Sequence, residues 1–305
     1  MSLPTIKQLR YFVALEKYRH FGRAAKSCFV SQSAFSTAIK ELESLLDVQL
    51  VDRSNQQVTI THTGQDVAVQ ARLCLRDLEG LVELAAENRD DLNGSLRLGV
   101  IPTIAPFLLP RLLPELGKTY PDLKLYLDED TTANIYQKLM SGELDVILLA
   151  LPYELRSVET MTLFRDAFLL ASRRDSTWVD PDRFVLQSMA AESIFLLEDG
   201  HCLRDHALTA CRIRDGQKIS PWSASSMLTL IEMVDADLGV TFLPEMALGS
   251  PLLKSTRLEL TRLDEESFRE IGLVWRASSG RGNAFRELGE FMVSHWQSRT
   301  THASP

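Results

Sequence analysis

Arg23-Ala24-Ala25-Lys26-Ser27-Cys28-Phe29-Val30-Ser31-Gln32-Ser33-Ala34-Phe35-Ser36-Thr37-Ala38-Ile39-Lys40-Glu41-Leu42 sets two helical signals on either side of one tight turn. Residues 23–28 form a helix too short to stand alone, and Phe29-Val30-Ser31 turns the chain. Ser31 is a good N-cap, since its side-chain oxygen can accept from an unpaired N–H of the next turn. The following helix spans 32–46, with Ala34, Phe35, Ala38, Ile39, Leu42, Leu45 and Leu46 at three- and four-residue spacing. Short helix, turn and longer helix is the layout of a helix-turn-helix, whose second helix enters the DNA major groove. With Ser31, the polar face offers Gln32, Ser33, Ser36, Thr37 and Lys40. Gln and Ser can bond base edges, and Ser, Thr and Lys can bond phosphates. A plain three-helix core with a solvated polar face fits the same pattern.

Working outward, residues 5–17 carry an apolar stripe (Ile6, Leu9, Phe12, Val13, Leu15) that reads as a first helix, broken at His20-Phe21-Gly22. Beyond the long helix, residues 51–54, a turn at Asn55-Gln56-Gln57 and an alternating strand over 58–64 read as a two-stranded wing. Arg53, Thr61 and Thr63 are its candidate phosphate contacts. Residues 1–64 hold eight Lys/Arg and five Asp/Glu, a balance of +3, on a chain of net charge −8. A small positive block on an acidic chain suits a nucleic-acid module joined to something else.

Residues 65–89 read as one long helix, rich in Val and Leu and interrupted only by Gly80. So much apolar surface on one helix is expected to pair with its copy from another subunit, or to pack on its own domain. A polar hinge follows at 90–95. From there strands alternate with helices: strands at 96–100, 123–127, 144–149, 168–171, 193–197, 239–244 and 272–275, helices at 106–119, 132–140, 226–237 and 283–297. The near-continuous apolar run at 144–149 suits a parallel sheet covered on both faces. The expected fold is therefore an N-terminal winged helix-turn-helix, mainly α, plus a long linker helix, then an α/β effector domain of two subdomains with a cleft between them. The expected boundaries are 1–64, 65–94 and 95–305, with subdomain I at about 95–165 and 269–299 and subdomain II at about 166–268. Thr103 and Thr132 follow strands and so face the cleft, where open α/β sheets bind ligands. Thr132 serves equally well as a helix cap.

Two of the four cysteines, Cys202 and Cys211, lie nine positions apart after the turn signal Asp199-Gly200. Leu203, Ala207, Leu208 and Cys211 repeat at helical spacing, placing Cys202 in a first helical turn. The helix dipole, His201 and Arg204 are all expected to favour thiolate there. An accessible thiolate oxidises to a sulfenic acid, which a second cysteine can condense with. On an intact helix nine residues span roughly 13 Å, whereas a disulfide needs Cα atoms about 5.5–6 Å apart. Bridging these two would force the helix between them to unwind or bend. On the residues alone, both are more simply read as small buried hydrophobes. Cys28 and Cys74 sit at core-like positions and read as inert. No apolar run approaches the roughly 18 residues of a membrane span. The first residues lack an apolar signal segment, so the cytoplasm is the expected compartment, where disulfide-capable pairs are more often redox-active than structural.

Several pieces carry a family resemblance: Arg23-Ala24-Ala25, Val30-Ser31-Gln32-Ser33, Phe35-Ser36, Ile39-Lys40-Glu41-Leu42-Glu43, Leu50-Val51-Asp52-Arg53 and Thr61-His62-Thr63-Gly64. In order and spacing they resemble the N-terminal domain of LysR-type transcriptional regulators. That family usually has Pro at the positions of Ser33 and His62, and Phe at that of Val51. The remainder is similar to the family's peroxide-sensing members, through Ile101-Pro102-Thr103, Ser141-Gly142-Glu143-Leu144-Asp145, the run from Leu197 through Gly200-His201-Cys202-Leu203-Arg204-Asp205 to Cys211, and Ile271 to Arg276. His206 stands where those proteins usually carry Gln.

The resemblance implies a DNA-binding regulator that senses hydrogen peroxide. Cys202 would be the peroxidatic cysteine and Cys211 the resolving one, and Thr103, Thr132, His201, Asp205 and Arg276 would shape the peroxide pocket. It implies a homodimer or homotetramer on double-stranded promoter DNA, with RNA polymerase as a further partner and antioxidant genes as targets. No cofactor, metal site or membrane partner is expected. His201, Cys202, His206 and Cys211 lack a paired Cys-x-x-Cys, and no orienting Asp or Asn accompanies Cys202 and His201 as an enzymatic pair. The competing reading is a LysR-type regulator with a small organic effector in the cleft and passive cysteines.

Overall fold

The computed structural model describes residues 3–52, 58–85, 92–179, 189–200, 202–211, 213, 216–263 and 266–302. The chain divides into two compact units. One is built mainly from residues 1–88, the other from 89–139, 144–278 and 282–305.

The first unit opens with α1 (Ile6–Tyr18), started by a capping box in which Thr5 and Gln8 exchange hydrogen bonds. Helix α2 (Phe21–Ser27) begins earlier than the sequence suggested. His20 is the reason: its Nδ1 accepts from the N–H groups of Gly22 and Arg23, so the expected break is a cap. Helix α3 (Gln32–Leu46) is capped by Ser31, whose hydroxyl accepts from Ala34 N–H. Phe12, Leu15, Phe35, Ile39 and Leu42 are fully buried between the three helices, with Tyr11 stacked on Phe35. Glu43 Oε1 accepts from the N–H groups of Leu50 and Val51, holding β1 (Val51–Asp52) against α3. Strand β1 pairs antiparallel with β2 (Thr59–Ile60).

The wing strand stops at Ile60 instead of reaching Gly64, because α4 (His62–Ala85) starts there. Thr61 makes the junction, accepting from Gly64 N–H and donating its hydroxyl proton to Gln49 O. A Cβ at Gly64 would lie 2.3 Å from Leu50 O, so only glycine fits. Along α4, Ala68 and Ala71 are buried while Cys74 and Leu81 are exposed. The core-like position expected for Cys74 is thus overturned, whereas Cys28 is partly buried against the helical core.

The second unit is built on a seven-stranded sheet. Strand β3 (Gly94–Val100) pairs in parallel with β4 (Leu123–Glu129) and β5 (Val146–Leu151). Beyond β5 the sheet turns antiparallel, through β11 (Phe268–Arg276), β6 (Val158–Arg173) and β10 (Leu258–Arg262), with β9 (Thr241–Pro244) also on β6. The expected parallel sheet is therefore only its first part. Strand β6, sixteen residues long, runs from the pairing with β11 into that with β9 and β10 and ties the halves of the unit together. A two-stranded parallel ladder joins β7 (Ile194–Leu197) to β8 (Ile219–Ala224). Helices α5 (Ala105–Thr119), α6 (Thr132–Met140), α7 (Cys202–Ala210), α8 (Met227–Asp235), α9 (Pro251–Lys254) and α10 (Gly282–His302) complete the unit.

Candidate functional site

Cys202 is the first residue of α7, directly after the turn at Gly200, whose φ of +100° is a conformation that favours glycine. Leu203 and Ala207 are buried in the core. Cys202, His206, Thr209 and Ala210 form the adjoining stripe and line a cavity of about 460 Å³. Its walls include Thr132 and Ala133 from α6, Leu151 from the end of β5, and Phe268 and Arg269 from β11. On its other side Cys202 closes a narrow cleft with Ile101, Pro102, Thr103, Thr131, Thr132 and Gly200. Both cysteines are reduced; Cys202 is partly buried, and Cys211, just past the helix, is buried.

Burial pushes the Cys202 thiol up, against the lowered value expected from its sequence neighbours. Arg204 does not help, because it pairs with Asp199 at 2.6 Å. The forces that favour the thiolate come from elsewhere: the Thr132 hydroxyl first, then the charge of Arg269 and the Ala150 N–H, with Asp205 opposing. Thr132 Oγ1 is buried and makes no hydrogen bond of ordinary geometry among the described residues. It is a donor held facing the sulfur, ready for a charge to develop there.

The arginine of this site is Arg269. Its guanidinium is fully buried, donating to Asp166 Oδ2 at 3.0 Å, Thr103 Oγ1 at 2.9 Å and Thr103 O at 2.9 Å. Asp166 Oδ1 in turn accepts from Met246 N–H. Burial raises the Asp166 pKa while Arg269 works against it. Arg276, the arginine suggested by the sequence, is not in the cavity: it donates to Leu139 O and Leu144 O. The reason is strand geometry. Seven residues along one strand put two side chains on opposite faces and roughly 23 Å apart. Thr103, Thr132 and Asp205 do surround Cys202, whereas His201 lies outside the described residues. The sequence carried no signal that separates Arg269 from Arg276, because both phases of β11 are buried and each arginine continues one of them.

In the first unit, Ser31, Gln32, Ser33, Thr37 and Lys40 are exposed and Ser36 half-buried on or beside the first turns of α3. Three of these hydroxyl groups are already engaged. Ser31 caps the helix, and Thr37 donates its proton to Ser33 O. Thr61 is likewise no phosphate donor as placed, its only proton being given to Gln49 O. The Ser33 hydroxyl shares a hydrogen bond with that of Ser31 at 3.1 Å, whereas Gln32 and Lys40 keep donors for DNA. Arg53 lies outside the described residues.

Residues 6–65 match the model of the bacterial regulatory helix-turn-helix protein, lysR family, and residues 89–297 match that of the LysR substrate binding domain. The chain belongs to the LysR family of transcriptional regulators. As such it binds DNA through its N-terminal helix-turn-helix, and the expected fold class holds. Among curated members it is 38% identical to the DNA-binding transcriptional dual regulator OxyR of Escherichia coli, over 93% of each chain. It is 39% identical to the HTH-type transcriptional regulator EstR of Acinetobacter baylyi, over 91% and 92% of the two chains. Among solved structures it resembles a full-length OxyR variant from Pseudomonas aeruginosa, with a TM-score of 0.78 at 34% identity over 96% and 95% of the chains. A hydrogen-peroxide-bound OxyR mutant from Corynebacterium glutamicum matches at a TM-score of 0.64 and 30% identity over the full length of both. Within the LysR family the chain is thus of the OxyR type.

Proposed function

We propose that this LysR-family regulator senses hydrogen peroxide at Cys202, bridges to Cys211, and so changes how its assembly contacts promoter DNA. One observation carries the reading: Cys202 shares its cavity with the fixed guanidinium of Arg269 and with Thr132, whose buried hydroxyl makes no hydrogen bond of ordinary geometry among the described residues. That set suits heterolytic cleavage of a peroxide. The thiolate attacks one oxygen, the O–O bond breaks, and its electron pair leaves on the other oxygen as hydroxide. Donors fixed beside the sulfur stabilise charge there without reorganising. The sulfenic acid then condenses with the Cys211 thiol, forming the disulfide and releasing water. Arg269 also holds the Thr103 hydroxyl and carbonyl, so the cation and that hydroxyl are positioned together by one buried network.

The assembly on promoter DNA is a homodimer or homotetramer in the cytoplasm, acting with RNA polymerase on antioxidant genes. No described helix is long and apolar enough to cross a membrane. The test is a thiol count by mass spectrometry before and after a brief micromolar peroxide pulse. A Cys202–Cys211 disulfide within seconds, with Cys28 and Cys74 still reduced, is the expected result. Cys202 remaining reduced at millimolar peroxide would sink the reading.

The second reading rests on cavity size. A space of about 460 Å³ exceeds by an order of magnitude the roughly 30 Å³ that a water-sized molecule takes up. It would admit a small organic effector, bound by Arg269 and Asp205 with the cysteines passive. Calorimetric binding of such a ligand by the Cys202→Ser variant, with DNA affinity changing on binding, would favour it.

A further inference from the structure

The chemistry above leaves His206 unused. Its Nε2 lies 3.0 Å from Pro152 O. A carbonyl oxygen only accepts, so Nε2 carries the hydrogen and the lone pair of the neutral ring sits on Nδ1. Nδ1 is buried and has no hydrogen-bond partner among the described residues. A buried basic nitrogen without a donor costs stability, and packing alone gives no reason to keep it. Cys202 and His206 stand four residues apart on α7, which brings their Cβ atoms within about 5–6 Å of each other. Both line the same cavity, although Nδ1 itself is shut off from the solvent in it.

We propose that Nδ1 of His206 takes the Cys202 proton as the thiol attacks peroxide, an inference that rests on the peroxide-sensing reading. The proton passes to Nδ1 directly, a rotation of the side chains bringing sulfur and nitrogen within hydrogen-bond reach as the reaction proceeds. The sulfur lone pair forms the S–O bond, the O–O bond breaks, and the electron pair leaves on the second oxygen as hydroxide. The imidazolium returns its proton to that hydroxide. One thiol and one peroxide become one sulfenic acid and one water, with His206 restored.

The groups facing the ring fit this role. Asp205 lies beside it on α7, Arg269 on β11, Glu266 just before β11, and Tyr153 just after β5. Burial lowers the His206 pKa; the Pro152 contact and Asp205 raise it, and Arg269 lowers it. The ring is therefore neutral, and able to accept a proton, at neutral pH. The thiol beside it is pushed up by burial, so without a base only a small thiolate fraction would react. The same shift fixes the sign of one pH effect: stability that the neutral ring contributes is present above about pH 6.5, and is lost as pH falls through the lowered pKa.

The experiment is stopped-flow oxidation of the full chain by hydrogen peroxide from about pH 5.5 to pH 9, comparing wild type with His206→Gln. Gln keeps a donor for Pro152 O and offers no titrating base. The wild-type rate is expected to be level across neutral pH and to fall in acid. His206→Gln is expected to be slower at neutral pH on the order of 10²-fold, to rise with pH as thiolate forms, and to approach wild type in alkali. Identical rates and profiles, with Cys202→Ser silent, would overturn the role of His206 and leave peroxide sensing standing. Wild type unreactive at millimolar peroxide would overturn both. Should His206→Gln not fold, His206→Ala with added imidazole decides in the same way: restored rate supports the proposal, and no restoration in a folded variant overturns it.

Discussion

Thr132 separates chemistry from stability at the scale of one residue. Its hydroxyl is buried beside Cys202 without a hydrogen bond of ordinary geometry. A buried hydroxyl in that state costs stability, and removing it returns the cost. Thr132→Val keeps the branched shape and removes the donor. Its unfolding midpoint in denaturant should match or exceed that of wild type, while peroxide oxidation of Cys202 slows on the order of 10²-fold, the size of losing one preorganised donor. An unchanged rate would mean that the hydroxyl does not face the developing charge. The arginines show the limit of reading such sites from sequence. Arg269 and Arg276 stand on one strand, and spacing alone does not say which is aimed at Cys202. The partners decide it: Asp166 lies 103 positions earlier in the chain, and Leu139 and Leu144, whose carbonyls hold Arg276, belong to a different connection. Cys202 itself was misread electrostatically. Arg204 stands two residues away in sequence, but it turns to Asp199, Asp205 opposes it, and burial dominates the thiol.

At the scale of elements, α7 must be both formed and breakable. With nine residues, it is below the length at which isolated helices hold in water. What keeps it is packing of Leu203 and Ala207, the Ser267 hydroxyl on Ala210 O at 3.3 Å, and the His206 contact with Pro152. The Cys211 N–H closes the last turn on Ala207 O at 2.9 Å. A bridge drawing two Cα atoms from roughly 13 Å to about 6 Å apart cannot spare that turn. Hydrogen exchange should therefore show the amides over 207–211 losing protection after peroxide. Cys211→Ser, which can form the sulfenic acid but no bridge, should keep it. Equal protection in the bridged protein would exclude α7 as the moving element. The helical period of Leu203, Ala207 and Cys211 was legible from sequence, as were the helix-turn-helix and most strands of the second unit. The mixed sheet was not. Strand β6 carries Glu159, Arg165 and Asp166 among its apolar positions, so only its continuous apolar stretch near residue 168 stood out. Its antiparallel pairing depends on residues a hundred positions away.

At the scale of the whole molecule, α4 carries the question of assembly. Val67, Ala71, Cys74, Leu78 and Leu81 recur at alternating four- and three-residue steps, the spacing of a helix-pairing seam. Ala71 is buried within the chain, Val67 and Leu78 are partly covered, and Cys74 and Leu81 are exposed, Leu81 at 62%. An apolar seam left open in one chain is what a second copy would close, and a dimer would present two recognition helices to the two halves of an operator. Leu81→Glu tests this without disturbing the monomer, because an exposed side chain supports little of its own core. The variant should sediment at a lower mass than wild type. Its affinity for a two-half-site operator should fall on the order of 10²-fold, the advantage of tethering two modules, while its affinity for a single half-site stays the same. The peroxide reaction at Cys202 should continue at its normal rate, since the cavity is built wholly from the second unit. Unchanged mass and unchanged operator affinity would show that α4 does not join the copies, and the exposed stripe would then need another partner. A normal mass with weakened binding to both DNA forms would place Leu81 in support of the DNA-binding unit itself.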